Sequence, residues 1–455
     1  MKFKKALSLV GLGLVSAAIM AGCGQGTGDG DVTTIRVWTD NAHERELRME
    51  QVERFNSTIG AEKGIYIEYT VYGANWVDTI RLAAQTGEAP DLFRPNGTFI
   101  REFIEAGYLV PLTDLPGMED FIANYEGYLV ENLQVFDGEP FTLPYNLTTY
   151  KFVINRDMFD RHGIADTPAT WDDVREIAQL ITENGNGNEF GFALALQSYW
   201  TASAYIHRPA AHIMGHHGFN HESLQFEFYR LAPVLDAIAG MVADGSVFPG
   251  ASGMDADAKR AQFAEGRVAM LPAVSFDVGV YNDQFPADFN WEVIDIPTIL
   301  PGPAPYRTLA DGTNLLGVGA AAVETPERAA KVAEVFRFFY SDENSAEMYE
   351  HGLYIPFRQA AIDMATSTPH QRGFTEFADV PNFLLLLPMP DNHITIEGPG
   401  INPSILSALA ANPTADPLTI LQDLDARLNA AIAEQLDPQI LETFRAPAGR
   451  DNRAH

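Results

Sequence analysis

The sequence contains one cysteine, Cys23, in 455 residues. A lone thiol forms no disulfide within the chain, and one sulfur cannot build a structural zinc site. Basic residues are scarce as well, because 30 lysines and arginines stand against 61 acidic residues, for a formal charge of −31. Such a surface repels nucleic acid and anionic lipid headgroups. An acidic surface also disfavours an anionic ligand, unless a local basic pocket binds that ligand. The excess of acidic residues suits a protein that stays soluble outside the cell, at high salt or high pH.

Long apolar runs are absent after residue 23, so no segment there has the 18 or more apolar residues of a membrane span. The run FLLLL at 383–387 is bounded by prolines and predicts a short buried piece. No GxxxxGK[ST] phosphate loop, strand-linked GxGxxG or GxSxG nucleophile elbow occurs. We therefore expect a protein without a cofactor or a bound metal. The composition, 46% hydrophobic and 11% aromatic, is that of a globular protein.

The first residues explain where the cysteine lies. MKFKK is a basic start, residues 6–20 are apolar or small, and small residues precede Cys23. This order predicts a signal peptide, and its apolar stretch is shorter than the roughly 20 residues of a membrane helix. The segment resembles a bacterial lipobox, with Met20 where leucine is usual. The resemblance implies a lipid-modified Cys23 held in the membrane by its acyl chains. An ordinary signal peptide with a chance cysteine is the alternative, as is a buried cysteine.

Alternating and helical patterns then succeed each other along the mature chain. Residues 35–38 and 65–71 read as strands, and residues 44–55 and 76–85 have helical apolar spacing. Strand, helix, strand, helix in succession predicts a parallel α/β sheet. Ligands of such sheets bind beyond the carboxyl ends of the strands. Side chains that directly follow a strand are therefore candidates for a binding site.

Two helices in the second half of the chain have clear starting residues. Thr170 precedes Asp173 by three residues, which is typical of a capping box, and Thr325-Pro326 opens a second helix in the same style. Asp172 and Asp173 could form a catalytic carboxylate pair, but a helix N-terminus favours acids electrostatically, and we predict that role. A last long helix is predicted over 418–436.

Four histidines, His212, His216, His217 and His221, raise the question of a metal site. The first two lie four residues apart, as zinc ligands on a helix do. Gly215 argues against a helix there, so an ordinary polar loop is the favoured interpretation.

From Leu143 onward the sequence resembles a known family. FTLPYNLTTYKFVINRDMFDRHGIADTPATWDDVREIAQLIT is similar to a block of bacterial extracellular solute-binding proteins, the family that includes the maltose-binding protein. Four further segments resemble blocks of this family in the expected order: RLAAQTGEAPDLFR, FAEGRVAMLPAVSF, TPERAAKVAEVFRFFYSDENSAEMYEHGLYIP and INPSILSALAANPTADPLTILQDLDARLNAAI. At the end of FAEGRVAMLPAVSF, Phe276 stands where tryptophan is usual in the family.

The resemblance implies an α/β protein of the type II periplasmic-binding-protein fold, with two hinged lobes that close on a ligand. Crossing segments are expected at 141–149, 311–319 and 354–358. It further implies a monomeric extracytoplasmic receptor that delivers its ligand to a separate ABC importer. The expected division is 1–22 signal peptide, 23–31 lipidated cysteine and tether, 31–142 with 316–358 lobe one, and 143–315 with 359–450 lobe two.

A sugar is recognised by an aromatic ring on its apolar face and by polar side chains on its hydroxyl rim. Side chains of these types occur at the predicted strand ends and crossings. The predicted ligand-binding residues are Trp38, Asn41, Arg94, Asn96, Tyr145, Asn146, Trp200, Phe276, Asp277, Asp311 and Asn314. Trp200 is chosen because it follows a predicted strand at 192–196. Trp171 and Trp291 are left out because a helix start and a strand interior predict packing.

Two other classes of function stay open at this point. A receptor of the same fold could bind a polyamine, a metal complex or a phosphodiester. A secreted glycoside hydrolase would need two facing carboxyl groups about 5 to 9.5 Å apart. With 61 acidic residues, the sequence leaves such a pair possible.

Overall fold

The computed structural model of the chain describes residues 32–73, 75–95, 99–126, 128–197, 199–379, 383–410, 415–447, 450 and 453. The predictions for the signal peptide, for Cys23 and its tether, and for Asn96 lie outside these residues. Within them, no helix is long and apolar enough to cross a membrane.

The strands are short apart from those that form the centre of each sheet. In chain order they are β1 (Thr33–Thr39), β2 (Ile65–Val71), β3 (Leu92–Phe93), β4 (Leu109–Val110), β5 (Val135–Phe136), β6 (Glu139–Pro140), β7 (Thr142–Thr148), β8 (Tyr150–Asn155), β9 (Phe190–Phe192), β10 (Phe219–Asn220), β11 (Gln225–Phe226), β12 (Val268–Val274), β13 (Trp291–Ile294), β14 (Thr308–Gly319), β15 (Ile355–Pro356) and β16 (Phe383–Leu385).

The helices cover both sheets. In chain order they are α1 (Arg45–Ser57), α2 (Ile59–Lys63), α3 (Trp76–Thr86), α4 (Ile100–Glu105), α5 (Glu119–Ala123), α6 (Arg156–Arg161), α7 (Trp171–Asn184), α8 (Tyr199–Ala202), α9 (Ala211–Met214), α10 (Ala232–Ala243), α11 (Ala256–Ala264), α12 (Asp277–Gly279), α13 (Pro326–Phe339), α14 (Asp342–Glu350), α15 (Gln359–Met364), α16 (Phe374–Phe377), α17 (Ile401–Ala408), α18 (Pro417–Gln435) and α19 (Pro438–Glu442).

The first sheet has the order β15-β7-β14-β3-β1-β2. It contains the strands predicted for lobe one together with the crossing segments, and we use the name lobe one for the part of the chain around it. Strand β1 runs parallel to both of its neighbours, as the strand–helix–strand pattern predicts. Strand β14 is antiparallel to β3 and β7, so the sheet as a whole is mixed. The segments predicted to cross between the lobes form β7, β14 and β15, which pair side by side.

The second sheet belongs to lobe two and has the order β13-β8-β12-β9. Its central strand β12 is buried along its whole length, and α7, α10 and α18 pack around the sheet. Each lobe therefore has a core of its own, as a chain of this length requires. Val37, Phe55 and Phe336 belong to the core of lobe one, and Phe152 and Leu424 to that of lobe two.

The predicted helix starts are confirmed. The Thr170 hydroxyl accepts a hydrogen bond from the Asp173 amide at 3.1 Å, and the Asp173 carboxylate accepts one from the Thr170 amide at 2.8 Å. Asp173 therefore caps α7, and no catalytic role is needed to explain it. Trp171 and Trp291 are 3% and 2% exposed, so both pack in the core.

Two predictions about local structure are wrong. The strand expected at 192–196 ends at Phe192, because the chain leaves the sheet there and the Leu196 amide bonds the carbonyl of Ala251 instead. The histidine segment is not an exposed polar loop. His212 lies in the short helix α9, and all four histidines are at most 8% exposed.

Two of the four buried histidines find partners in backbone carbonyls. His212 Nδ1 lies 2.8 Å from Pro209 O, and His221 Nδ1 lies 2.9 Å from Phe444 O. No group of three or more metal-ligating side chains is placed to hold a metal ion in the described part of the chain. The described structure therefore does not arrange these four histidines around a metal ion.

Candidate functional site

The lobe-one wall of the cleft is formed where β1 and β3 end. Trp38 and Phe93 are neighbours in the sheet, so Trp38 and Arg94 emerge at the same edge. Arg94 donates a hydrogen bond to Asp40 at 2.8 Å, and the Trp38 ring packs on Tyr72 with centroids 4.8 Å apart. The predicted site residues Trp38 and Arg94 therefore lie together.

The turn after β1 adds Asn41 and His43 to this wall. Asn41 Nδ2 donates a hydrogen bond to Glu44 Oε1 at 2.5 Å, and the Glu44 carboxylate pairs with buried Arg48 at 3.1 Å. Glu44 is only 3% exposed, whereas His43 is exposed. The buried ion pair of Glu44 and Arg48 thus holds the turn from the interior of lobe one, and the His43 side chain stays accessible to solvent.

The lobe-two wall carries two aromatic rings. Trp200 lies in α8 with its ring 5.7 Å from that of Tyr205, and Phe276 packs in the same cluster. Directly after Phe276, the fully buried Asp277 pairs with Arg260 at 2.7 Å. Trp200 and Phe276 therefore share a surface, and Asp277 lies beneath it.

His43 and Phe276 meet across the two lobes. Their ring centroids are 6.3 Å apart, with an angle of 34° between the planes. The His43 side chain is accessible to solvent, but the protein atoms of both lobes around the ring partly desolvate it and lower its pKa below the ordinary 6.5. Arg94 and Arg260 lower the pKa further, against the opposite effect of Glu44 and Asp40. At neutral pH, an uncharged imidazole ring of lobe one thus faces an aromatic ring of lobe two.

The crossing segments supply polar groups between the walls. The Tyr150 hydroxyl donates a hydrogen bond to Asp311 Oδ2 at 2.7 Å, and Arg208 pairs with the same carboxylate. Burial raises the pKa of the Asp391 carboxyl, which lies near Arg208, to about 6. Arg208 Nε and Asp311 Oδ1 are buried without a hydrogen-bond partner among the described residues. Buried polar atoms usually have partners, so this pair suits a polar ligand.

The other predicted residues of the crossings are Tyr145, Asn146 and Asn314. Tyr145 is 5% exposed, and its hydroxyl accepts a hydrogen bond from Arg48 at 2.7 Å inside the lobe-one core. Asn146 is half-buried. The Asn314 side chain accepts a hydrogen bond from Gln134 at 3.1 Å. The structure therefore does not bring Tyr145 to the surface that Trp38 and Phe276 line.

Several cleft residues were missed by the sequence patterns. His43 stands in the turn after β1, so the rule that selected Trp38 and Asn41 could have found it. Arg208 pairs with a carboxylate 103 positions away, and no local pattern announces it. Arg260 lies on α11, where its charge alone would suggest a solvated surface.

A separate open groove of about 550 Å³ lies on lobe two, away from these residues. It is lined by Lys151, Val293, Ile294, Asp295, Thr375, Glu376 and Asp379. None of these side chains is aromatic, and Lys151 is paired with Asp295 at 2.6 Å. The groove therefore lacks the stacking surface that the cleft between the lobes offers.

Known proteins of similar sequence point to one family. The model of the bacterial extracellular solute-binding proteins matches residues 43–346. A protein of Brucella abortus described as a binding protein is 21% identical over 310 residues, which are 66% of this chain and 71% of the relative. The maltotriose-binding protein of Pyrococcus abyssi is 22% identical over 247 residues, 50% of this chain and 48% of the relative.

Solved structures share the fold. RafE of Streptococcus pneumoniae in complex with raffinose has a TM-score of 0.63 at 18% identity, covering 88% of this chain and 99% of that one. A chitin oligosaccharide binding protein has a TM-score of 0.67 at 17% identity, covering 89% and 100%. A Thermotoga lettingae solute-binding protein bound with α-D-tagatose has a TM-score of 0.66 at 21% identity, covering 89% and 100%. With the family model matching most of its length, this chain belongs to the bacterial extracellular solute-binding proteins.

Proposed function

We propose that the chain captures a sugar or oligosaccharide in the cleft between its lobes and delivers it to an ABC-type importer. A sugar ring has apolar C–H faces and a rim of hydroxyl groups. Trp200 and Phe276 on one wall and Trp38 and His43 on the other supply rings for the faces. The relatives that bind maltotriose, raffinose and chitin oligosaccharide support this class of ligand.

The pairing of charges in the cleft is the observation that carries the proposal. Arg94, Arg208 and Arg260 each contact a carboxylate, those of Asp40, Asp311 and Asp277 respectively. A polyamine would need unpaired carboxylates, and a phosphodiester would need an unpaired cation. Arginine–carboxylate pairs instead offer donors and acceptors side by side without net charge. That combination suits the hydroxyl groups of a neutral sugar.

A glycoside hydrolase would need a carboxyl group that carries a proton near neutral pH. In the described part of the cleft, Asp391 comes nearest to this requirement, since its pKa is about 6. Asp40, Asp277 and Asp311 are ion-paired and suit binding better. Turnover is therefore measured together with binding in the experiment below.

The proposed receptor acts outside the cytoplasm as a monomer held to the membrane by lipid on Cys23. The family it belongs to is extracellular, which supports this location. An acidic chain of net charge −31 is repelled by anionic headgroups, so a lipid anchor would supply the attachment that its surface does not.

Thermal-shift screening followed by calorimetry tests the function. The panel contains maltotriose, raffinose, chitin oligosaccharides and tagatose, with spermidine and glycerophosphodiesters as rivals. A ligand at 100 times its Kd stabilises the folded protein by about 2.7 kcal/mol, so one sugar should raise the melting temperature. It should bind with one-to-one stoichiometry and be recovered unchanged by chromatography. Binding by spermidine alone, or release of shorter sugars, would contradict the proposal.

Variants localise the binding to the cleft. Arg208→Met removes the pair with Asp311 and should weaken sugar binding at least tenfold. Arg161→Met removes an ion pair with Glu189 on the outer surface of lobe two, where the Arg161 side chain is 51% exposed, and should leave the affinity unchanged. Equal affinities for the two variants would place the ligand elsewhere.

A further inference from the structure

A chain of buried hydrogen bonds begins at the lobe-one wall of the cleft. Asn41 donates to Glu44 at 2.5 Å, and Glu44 accepts from Arg48 at 3.1 Å. The other end nitrogen of Arg48 donates to Gln51 at 2.7 Å. Arg48 has no exposed surface. The charged group that holds the turn is therefore wholly inside lobe one.

The same arginine reaches two of the three crossing segments. Arg48 donates to the hydroxyl of Tyr145 in β7 at 2.7 Å, and the Tyr354 hydroxyl, one residue before β15, donates to the same oxygen. Burial would lower the pKa of Arg48, but Tyr145 and Glu44 outweigh it and keep the guanidinium charged. One cation thus binds the turn at Asn41 and the crossings together.

The remaining crossing segment, which forms β14, is tied to this group by Tyr340. Its hydroxyl donates to the carbonyl of Leu143 in β7 at 3.0 Å and accepts from the amide of Leu316 in β14 at 3.2 Å. The rings of Tyr145 and Tyr340 are 5.1 Å apart, and those of Tyr145 and Tyr354 are 5.0 Å apart. All three crossings are therefore fastened to lobe one at this level.

The cores divide the crossing segments at the same level. Residues Leu143, Tyr145, Leu316 and Tyr354 pack in the lobe-one core. Residues Leu147, Ala310 and Ile355 pack in the lobe-two core. The change occurs within two residues in β7, between Tyr145 and Leu147, and between the adjacent residues Tyr354 and Ile355 where β15 begins. Strand β14 also shifts its register against β7 between Thr313 and Gly317, where a regular ladder is interrupted.

A buried ion pair contributes little net stability compared with apolar side chains of the same volume, although removal of one partner is costly. Such a pair is better explained by the geometry it fixes. Here it fixes the cleft turn relative to two of the three crossing segments, which must bend when the lobes move.

We propose that Arg48 is a positioning residue that joins the ligand-binding turn at Asn41 to the crossing segments. The segment Leu143–Tyr145 then moves with lobe one. The three crossing segments bend between Tyr145 and Leu147, between Ala310 and Leu316, and after Tyr354. The contribution of Asn41 to ligand binding rests on the proposed function, whereas the bending position does not.

The mobility of the lobes without ligand tests this assignment. The full chain carrying Cys23→Ser receives two exposed labelling sites, Glu53→Cys in α1 and Glu176→Cys in α7. Because Cys23 is the only native cysteine, spin labels attach at these two positions alone. Pulsed electron resonance then gives the distribution of distances between the lobes. Tyr145→Phe, which removes one hydroxyl, should broaden this distribution, and so should Arg48→Met.

Arg81→Met on α3 is the control, because Arg81 has no contact with this network. Arg81 pairs with Glu102 at the surface of lobe one at 2.8 Å, with its side chain 30% exposed, so its loss should leave the distribution unchanged. If Arg48→Met does not fold, Tyr354→Phe takes its place beside Tyr145→Phe. Unchanged distributions in two folded variants of the network would overturn the proposal, as would equal broadening in the control.

The affinity for a sugar is measured separately on the same variants. The probe is whichever of maltotriose or raffinose raises the wild-type melting temperature. Coupling between distant sites is typically fivefold or more, so Tyr145→Phe should weaken binding by about that factor, and Arg81→Met should leave the affinity unchanged. Failure of the wild type to bind either sugar would count against the proposed function and leave the distance result to decide the bending position.

Discussion

Trp200 is half-buried against Tyr205, so its ring serves packing on one side and is open on the other. We predict that Trp200→Ala weakens sugar binding tenfold to a hundredfold. Covering one sugar face on the ring removes about 100 Å² of apolar area from water, worth roughly 2.5 kcal/mol. Titration calorimetry measures the loss of affinity.

Trp171→Ala is the control for this substitution, because Trp171 is 3% exposed in the core of lobe two. Its loss should cost about 3 to 5 kcal/mol of unfolding free energy and leave the affinity of the folded protein unchanged. Trp200→Ala should lose much less stability without ligand. If Trp200→Ala instead loses much stability and keeps its affinity for the sugar, Trp200 is a core residue and the prediction is wrong.

His43 gives the cleft a pH dependence with a definite sign. Arg94 and Arg260 face it with positive charge, and Asp40 and Glu44 face it with negative charge. Its lowered pKa means that the ring is neutral above pH 6.5, and a proton added below that pH places a cation between two arginines. We predict that sugar affinity is constant above pH 6.5 and falls at lower pH. His43→Phe should bind with an affinity that changes less with pH; an identical profile would exclude His43 as the cause.

At this scale, strand ends were enough to select candidate residues that the structure places near one another. Trp38 lies at the end of β1, Asn41 and Arg94 follow β1 and β3, and Phe276 follows β12, so position alone selected them. Arg208 could not be found in this way, since its partner Asp311 is brought to it by tertiary packing. Tyr145 shows the limit of the rule: on a strand, one residue decides which face a side chain takes, and Tyr145 takes the core face.

Among the elements, the segment 203–221 carries five buried histidines that are sensitive to acid. Burial lowers the pKa of His207 to about 3 and those of His216 and His221 to about 4. It also lowers the pKa of His212 and holds that of His217 well below 6.5. The unfolded chain binds a proton near pH 6.5, and the folded chain does so only at lower pH. The stability that these groups contribute is therefore complete above pH 6.5 and is lost as the pH falls below it.

We predict that the unfolding free energy decreases between pH 6.5 and 5, with each such histidine adding up to about 1.4 kcal/mol per pH unit. Denaturant unfolding measures this slope. Asp391 and Asp425 have pKa values raised to about 6, so their protonation stabilises the folded protein as the pH falls and opposes this slope. The contribution of a histidine is therefore measured by comparing the wild type with a variant that lacks it. His217→Phe should reduce the slope by about one histidine's share. A slope unchanged by His217→Phe would contradict the assignment.

The sequence predicted the elements that have strong local patterns. Helix α7 has its capping box and its apolar face, and α1 buries Leu47, Val52 and Phe55 as its spacing indicates. The strand at 192–196 was wrong because an apolar run alone does not distinguish a strand from buried irregular chain. The histidines were placed in a loop because polar residues and glycines favour the surface, and backbone carbonyls inside lobe two override that preference.

For the whole molecule, attachment to the membrane depends on one residue. We predict that labelled palmitate is incorporated into the wild-type protein and is absent from Cys23→Ser, because Cys23 is the only thiol available for lipid. Extraction of membranes followed by autoradiography measures the incorporation. Lipid on the serine variant would show that the attachment has another site.

The two-lobed fold could be predicted because five segments that resemble family blocks occur in order along the chain. The family match over residues 43–346 contains three of them and most of a fourth. The position at which the lobes bend could not, since it depends on which core each crossing residue joins. Leu143 and Leu147 are alike in the sequence, yet they pack in different lobes.

Closure of the two lobes on a sugar is the central claim, and small-angle X-ray scattering tests it most directly. The measurement compares the full chain carrying Cys23→Ser with and without a saturating concentration of the sugar selected by thermal shift. Closure brings lobe one and lobe two together around the ligand, so the radius of gyration should be smaller with the sugar than without it. An unchanged radius at saturation would contradict the account.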